Sequence, residues 1–505
     1  MKNGPYRRRG ILIGALLVGG WACTCVALAT QGQRLTGSVV AAIARAQPVP
    51  LSARETHRSL TLTIVLRRDK PRQFAGFLRA VYDPHSAQYH RFLTGRALAD
   101  RFGPSRSDYE RVLAYLRKRR FHLIAGSADR LTLTVRASRA RIERVLRVDI
   151  ADYRLGTGHF YANNRAPWLP ASIAPRVQAI VGLSDLAQPR HVGAGDATQW
   201  TWDPIPSQAR TLLTCLSPAA AAAIQNGQVE TAPSLADAIE AATAPVACEI
   251  NMIAAYAQSY GAFPDPVPGT GQTIGLLEFS NYHPSDVQNY LDLLGMGSDF
   301  PNLSEVPVNG GAGTPGPGES EVLLDIDAVM SLAPGAKVEV FDGPFQGSGT
   351  FQSMLNAMIS AGVNVISNSW AYCENETDLA DVQSINSILE TAAADGITVV
   401  SGTGDHGSTC LDGSANTIPV PADAPYITAV GGTEALPGLL GTYGSESWWN
   451  GLNDSPQNGQ GGFGVSRFFA APAYQSGLSG SSMRSPTTSA KRWPVTRSTV
   501  SASRV

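Results

Sequence analysis

Between residues 60 and 153 the apolar positions change rhythm repeatedly. The run 60–66 is dense in Leu, Ile, Val and Thr and predicts a strand. Phe74, Phe77, Leu78 and Val81 then recur at helical spacing within 74–82. A second helix is expected near 107–118, strands over 121–124 and 131–135, and a third helix over 138–146 with Ile142, Val145 and Leu146 on one face. The stretch 148–153 returns to strand. Two β-α-β units in this order predict an α+β, ferredoxin-like sandwich. From 187 to 207 the chain turns polar, with Gly193, Gly195, Pro204 and Pro206, and reads as an exposed linker open to proteolysis.

A different pattern begins near Gly269. Short apolar runs at 273–277, 338–341, 363–367 and 397–401 alternate with helical stretches at 285–294, 351–361 and 382–394. Strands alternating with helices predict a parallel sheet flanked by helices, an α/β fold. Functional residues of such folds gather beyond the carboxyl ends of the strands.

The N-terminus changes the picture of where the chain goes. Arg7, Arg8 and Arg9 precede an apolar run over 11–29, and Ala27 and Ala29 flank Leu28. This predicts a signal peptide over residues 1–29. An uncleaved membrane anchor is the alternative, and the arginines loosely match a twin-arginine signal. A net charge of -1 gives no reason to expect nucleic acid as a partner. Cys23 and Cys25 belong to the leader, and Cys215, Cys248, Cys373 and Cys410 remain. An even count in an exported chain favours disulfides, and no C-x-x-C pair or histidine cluster suggests a metal site.

Two places could carry chemistry. Glu321 and Asp325 are spaced i, i+4, on one helix face. Most such pairs are solvated, but Val322, Leu323, Leu324, Ile326 and Val329 predict burial here. Like charges held together resist double ionisation, and a pair sharing one proton suits acid–base work at low pH. Asp405 follows an apolar strand on a glycine-rich turn, 401–408, where the chain can approach a ligand; an Asx turn is the plain alternative. His406, beside it, invites a Ser-His-Asp reading, although a lone loop histidine is usually just exposed.

These segments resemble the sedolisin (kumamolisin-like) serine-carboxyl peptidases. The likeness is carried by Gly269-Thr270-Gly271-Gln272-Thr273-Ile274, the helix start Asp286 to Tyr290, Glu321 to Ile326 with Leu332 to Ala336, and Ser367-Asn368-Ser369-Trp370. Gly404-Asp405-His406-Gly407, Pro421 to Tyr426, Ala429 to Thr433 and Gly461 to Ser466 extend it. Tyr89 to Thr94, Phe102 to Ser105 and Val181-Gly182-Leu183 resemble the family's activation prodomain. The resemblance implies a subtilisin-like fold and an acid-active endo- or tripeptidyl-peptidase. It implies Glu321 as general base, Asp325 as its orienting partner and Asp405, protonated, as an oxyanion donor. Glu278 and Trp370 stand where kumamolisin-like members extend the hydrogen-bond network, with core packing as their alternative. The expected divisions are a signal peptide (1–29), an activation prodomain (50–187), a linker (188–210), an incomplete peptidase domain (211–482) and an aberrant, disordered tail (483–505).

The departure is at the C-terminal side. The family's Gly-Thr-Ser nucleophile motif does not occur in this sequence. The family's calcium site, built from aspartates and backbone carbonyls, follows that motif and is expected only in a complete domain. Thr488-Ser489-Ala490 is a superficial echo in a basic tail. Beyond Asp454 there is no acidic residue, while Arg484, Lys491, Arg492, Arg497 and Arg504 accumulate. Codons from Pro486 onward, read one register out, can encode the family's Asp and Gly-Tyr residues. The tail is therefore expected to be a frameshift product, with a naturally truncated pseudoenzyme as the alternative. The expected function is a secreted (extracellular or periplasmic), monomeric endopeptidase precursor acting on peptides or proteins, with no membrane contact after signal cleavage. This chain itself is expected to be inactive; a pseudopeptidase with a binding or regulatory role is the alternative. A subtilisin-type Ser-His-Asp enzyme is disfavoured because Glu321 takes the histidine's position. Cys373 and Cys410 each follow a predicted parallel strand, which brings their loops together and predicts a disulfide; Cys215 and Cys248 would then pair by elimination.

Overall fold

The computed structural model describes residues 32–50, 58–191, 260–261, 268–294, 296–345, 347–437, 443–450 and 459–475. The expected signal peptide, most of the expected linker, the tail, Cys215 and Cys248 lie outside them.

The N-terminal part is built on a four-stranded antiparallel sheet. Its strands are β1 (Ser59–Leu66), β2 (His122–Gly126), β3 (Thr132–Ser138) and a last strand, β6 (Val177–Val181), in the order β2-β3-β1-β6. Helices α1 (Pro71–Tyr82), α2 (Gly95–Phe102) and α3 (Arg106–Lys118) fill the first crossover, and α4 (Arg139–Leu146) opens the second. The stretch expected to close this sheet does not. Strand β4 (Ile150–Leu155) instead forms a hairpin with β5 (Gly158–Asn163), paired on its other side with Gln47–Val49. Ile150 at its start still joins the main N-terminal core, but Tyr153 belongs to a small separate cluster with Val40, stacked on Phe160 at 5.5 Å. The place beside β1, at the sheet's edge, goes instead to β6, whose Val177, Ala179, Ile180 and Val181 are all buried.

Strand β1 explains that need. Leu60, Leu62, Ile64 and Leu66 point into the core shared with α3 and α4. On the opposite face Val65 packs with Ala179, Val181 and Ala380, and Thr63 Oγ1 donates to Gly349 O at 3.3 Å. The period of two thus presents one face to the strand's own helices and the other to the second half of the chain.

That second half is a six-stranded, wholly parallel sheet. In chain order after a short β7 (Arg190–His191), its strands are β8 (Thr273–Glu278), β9 (Leu303–Pro307), β10 (Lys337–Asp342), β11 (Val365–Asn368), β13 (Thr398–Gly402) and β15 (Thr428–Val430). A short strand β12 (Trp370–Cys373) and its partner β14 (Pro419–Val420) lie between them in the chain, with β12 held between β7 and β14 in a separate three-stranded sheet. The spatial order is β9-β10-β8-β11-β13-β15. Helices α5 (Pro284–Leu293), α6 (Glu319–Leu332), α7 (Thr350–Ala361) and α8 (Leu379–Asp395) flank it. This is the expected subtilisin-like α/β architecture, a parallel sheet between helices, preceded by the N-terminal sheet.

The halves meet on α8. Buried Ala393 and Ala394 receive Phe74, Phe77, Leu78, Val81 and Phe102 from α1 and α2. Arg68 donates to Ser387 O at 3.0 Å and to Thr391 Oγ1 at 2.6 Å. Gly349, at φ +95°, begins α7 directly beneath Thr63 and Val181; a Cβ there would lie 3.0 Å from Val181 Cγ2. Only glycine accepts that conformation without strain in so little space.

Candidate active site

Helix α6 has two functional stripes. Val322, Ile326 and Met330, at i, i+4 and i+8, are fully buried against the sheet. One position earlier, Glu321 and Asp325 turn the neighbouring face toward the carboxyl ends of the strands. Those ends supply the rest: Glu278 ends β8, Ser369 and Trp370 follow β11, and Asp405 lies three residues beyond β13. Asn368 fixes the β11 turn, its side-chain amide donating to Trp370 O and Ser401 Oγ, each at 2.8 Å.

Charge burial dominates the site. Glu278 is fully buried and accepts from Trp370 Nε1 at 2.8 Å. Its pKa is raised well above the carboxylate range, first by burial and then by Asp325. Asp325 accepts from Ser369 Oγ at 2.9 Å and is pushed up to about 6 by burial, opposed by Ser369 and by a hydrogen bond from Glu278. Glu278 thus holds the proton between these two carboxyls. Glu321 is pushed up to about 8 by burial, then by Asp325 and Asp405, while the Ser369 hydroxyl stabilises its ionised form. The group titrates as a coupled cluster, in which removing one proton tightens the hold on the others. Such a cluster can accept and return a proton where its members are partly protonated, which for Asp325 and Glu321 falls between about pH 6 and 8.

The structure therefore brings Glu321, Asp325, Glu278, Trp370 and Asp405 together. Asp405 sits on a loop pinned by the segment 460–463: Gln460 N donates to Asp405 O at 2.9 Å and Gly462 N to Gly404 O at 2.7 Å. Cys373 and Cys410 form a disulfide with Cα atoms 6.0 Å apart. Sequence reasoning quoted Ser369 without assigning it to the site. Its signal was a hydroxyl just past the end of an apolar strand, next to Trp370.

Trp370 joins the carboxyls to a cleft of about 600 Å³, walled by Phe279, Ser280, Gly316, Gly318, Trp370 itself and His406. A Cβ on Gly318 would come within 2.6 Å of Trp370 Cη2, so glycine is what lets the indole reach Glu278. Strand β7 enters the cleft margin and pairs antiparallel with β12. His406 lines the wall, its pKa lowered by burial and by Arg190. Among the described residues two groups bring metal-type ligands together: Cys373, Cys410 and Asp412, and the largely exposed His283, Asp286 and Glu319. The first has its sulfurs in a disulfide and the second includes an imidazole, so neither fits the all-oxygen cage of calcium.

Comparison with known proteins places these observations. Residues 50–186 match the family model described as pro-kumamolisin, activation domain, and residues 310–497 match the subtilase family. Kumamolisin of Bacillus sp. (strain MN-32) is 28% identical over 435 residues, covering 82% of this chain and 69% of that protein. Sedolisin of Pseudomonas sp. (strain 101) is 26% identical over 462 residues, covering 88% of this chain and 71% of that protein. A solved structure of Pseudomonas sedolisin, a serine-carboxyl proteinase complexed with pseudo-iodotyrostatin, aligns at 25% identity over 45% of this chain and 66% of that one, with a TM-score of 0.38. With an activation domain ahead of a subtilase domain, the chain belongs to the sedolisin (kumamolisin-like) family of serine-carboxyl peptidases.

Proposed function

We propose that the chain is the precursor of a secreted, acid-acting serine-carboxyl endopeptidase, with a signal peptide over 1–29, a prodomain over 50–187, a linker over 188–210 and a peptidase domain over 211–482. The observation that carries this is the buried carboxyl cluster, joined through Trp370 to the wall of a peptide-sized cleft. Glu321 takes the proton of a nucleophilic hydroxyl as its oxygen attacks the scissile carbonyl carbon. Asp325 orients Glu321, and Glu278 with Trp370 fixes Asp325 in turn. The developing oxyanion accepts a hydrogen bond from Asp405 in its protonated form. Glu321 then gives its proton to the departing amine, and water repeats the cycle on the acyl intermediate.

The nucleophile is the missing part, since the sequence holds no Gly-Thr-Ser. That observation favours a second reading, a secreted pseudopeptidase that binds peptides without cutting them. Casein digestion at acid pH separates the two. The chain as written should show no cleavage. The same chain continued by a family C-terminal segment should cleave, and Glu321→Gln in that version should lower kcat by about 10²-fold or more. An extended chain that stays inactive would favour the pseudopeptidase.

A further inference from the structure

The short strand β7 lies on the side of β12 that β14 leaves open, with Arg190 opposite Ala371 and His191 opposite Trp370. Pro189 and Arg190 form part of the cleft margin. An extended segment laid antiparallel on an open strand is held by its backbone, while its side chains are sorted by the pockets they meet. Arg190 meets a built one. Its Nη2 donates to Glu376 Oε1 at 2.8 Å and its Nη1 to Glu376 Oε2 at 3.2 Å, a two-pronged contact that matches guanidinium to carboxylate. The Glu376 side chain is only 9% exposed. It is also held from behind, because Cys373 N donates to Glu376 Oε2 at 2.9 Å and Cys373 is tied to Cys410. The carboxylate is therefore fixed in place before any guanidinium arrives. Once β7 leaves the strand, Glu376 is a carboxylate held in place without its cation, which favours a replacement of the same charge and shape.

We infer that Glu376 is a specificity-determining residue, selecting peptide substrates that carry arginine at the position on β12 now held by Arg190. The inference rests on the cleft being a peptide-binding cleft. A purely structural role is also visible, since Glu376 caps the turn it ends. Glutamine can make the same cap, so Glu376→Gln removes the charge and keeps the turn.

The test is hydrogen exchange over residues 368–373 in the full chain, in wild type, Arg190→Gln, Glu376→Gln and the double variant. Wild type should exchange slowly. Each single change should speed exchange about tenfold, and the double variant should go no further, because both changes remove one ion pair. Excess acetyl-Pro-Arg-His-amide should restore slow exchange to the Arg190→Gln chain, and acetyl-Pro-Gln-His-amide should not. Additive or absent effects in a protected segment, or equal action of the two peptides, would overturn the role of Glu376 while leaving the peptide seat standing. Fast exchange in every chain, wild type included, would overturn the peptide-cleft reading itself.

Discussion

Trp370 shows how much of the site hangs on single side chains. Its indole N–H is the described donor to the fully buried Glu278, whose other oxygen faces Asp325. Trp370→Phe keeps the ring but leaves Glu278 Oε2 without that donor in a dry environment. We expect a loss of about 1–3 kcal/mol in a denaturant titration, the usual result of orphaning a buried acceptor. An unchanged midpoint would mean that Glu278 finds another partner. Glu321 and Asp325 were legible because apolar flanks predicted burial for a spacing that is usually solvated, whereas Glu278 was reached only through the family resemblance. Ser369 was not legible, since a serine after a strand looks like any turn residue until α6 is packed above it. Glu376 was equally hidden; its meaning comes from β7, which joins a partner 186 residues away.

At the level of elements, α8 is the helix on which both halves of the chain depend. One face packs Ile385, Ile388 and Leu389 into the parallel-sheet core, and the other receives α1 and α2. Phe102 is 1% exposed and lies against Phe74 and Phe77 with ring centroids 5.4 and 5.3 Å away. Phe102→Ala should destabilise the chain by about 3–5 kcal/mol, through lost burial and the cavity left behind. Calorimetry on the full chain would read this as a lowered Tm, and a shift under one degree would contradict the packing described. The repeating strands and helices were readable from their periods. The exchange of β4 for β6 was not, because both runs carry apolar residues at strand spacing. Their places are decided by what covers each face, which local sequence does not record.

The molecule as a whole carries an unusual load of buried carboxyls. Glu321 and Asp378 are pushed up to about 8, Asp327 to about 7, and Asp325, Asp185 and Asp395 to about 6, with burial the leading cause in each case. Unfolded, these groups would titrate near pH 4. Between about pH 4 and 8 the folded state therefore holds protons that the unfolded state has released, so stability must fall as pH rises. Tm measured at constant ionic strength should be highest near pH 4 and decline steadily toward pH 8. A rise over that range would contradict the burial of these groups.

The surface shared by the two halves is lopsided in chemistry. On the α8 side it is small and mild: Ala380, Ala393, Ala394, Ser387 and Thr391. On the other side stand Phe74, Phe77, Leu78, Val81, Leu98 and Phe102. If the halves separate, water meets alanines and hydroxyls on the enzyme half but a sheet of aromatic rings on the N-terminal half. Solubility after separation thus belongs to the part with the parallel sheet. The N-terminal part is left with a greasy face suited to clumping or to rapid digestion, which would make release hard to reverse.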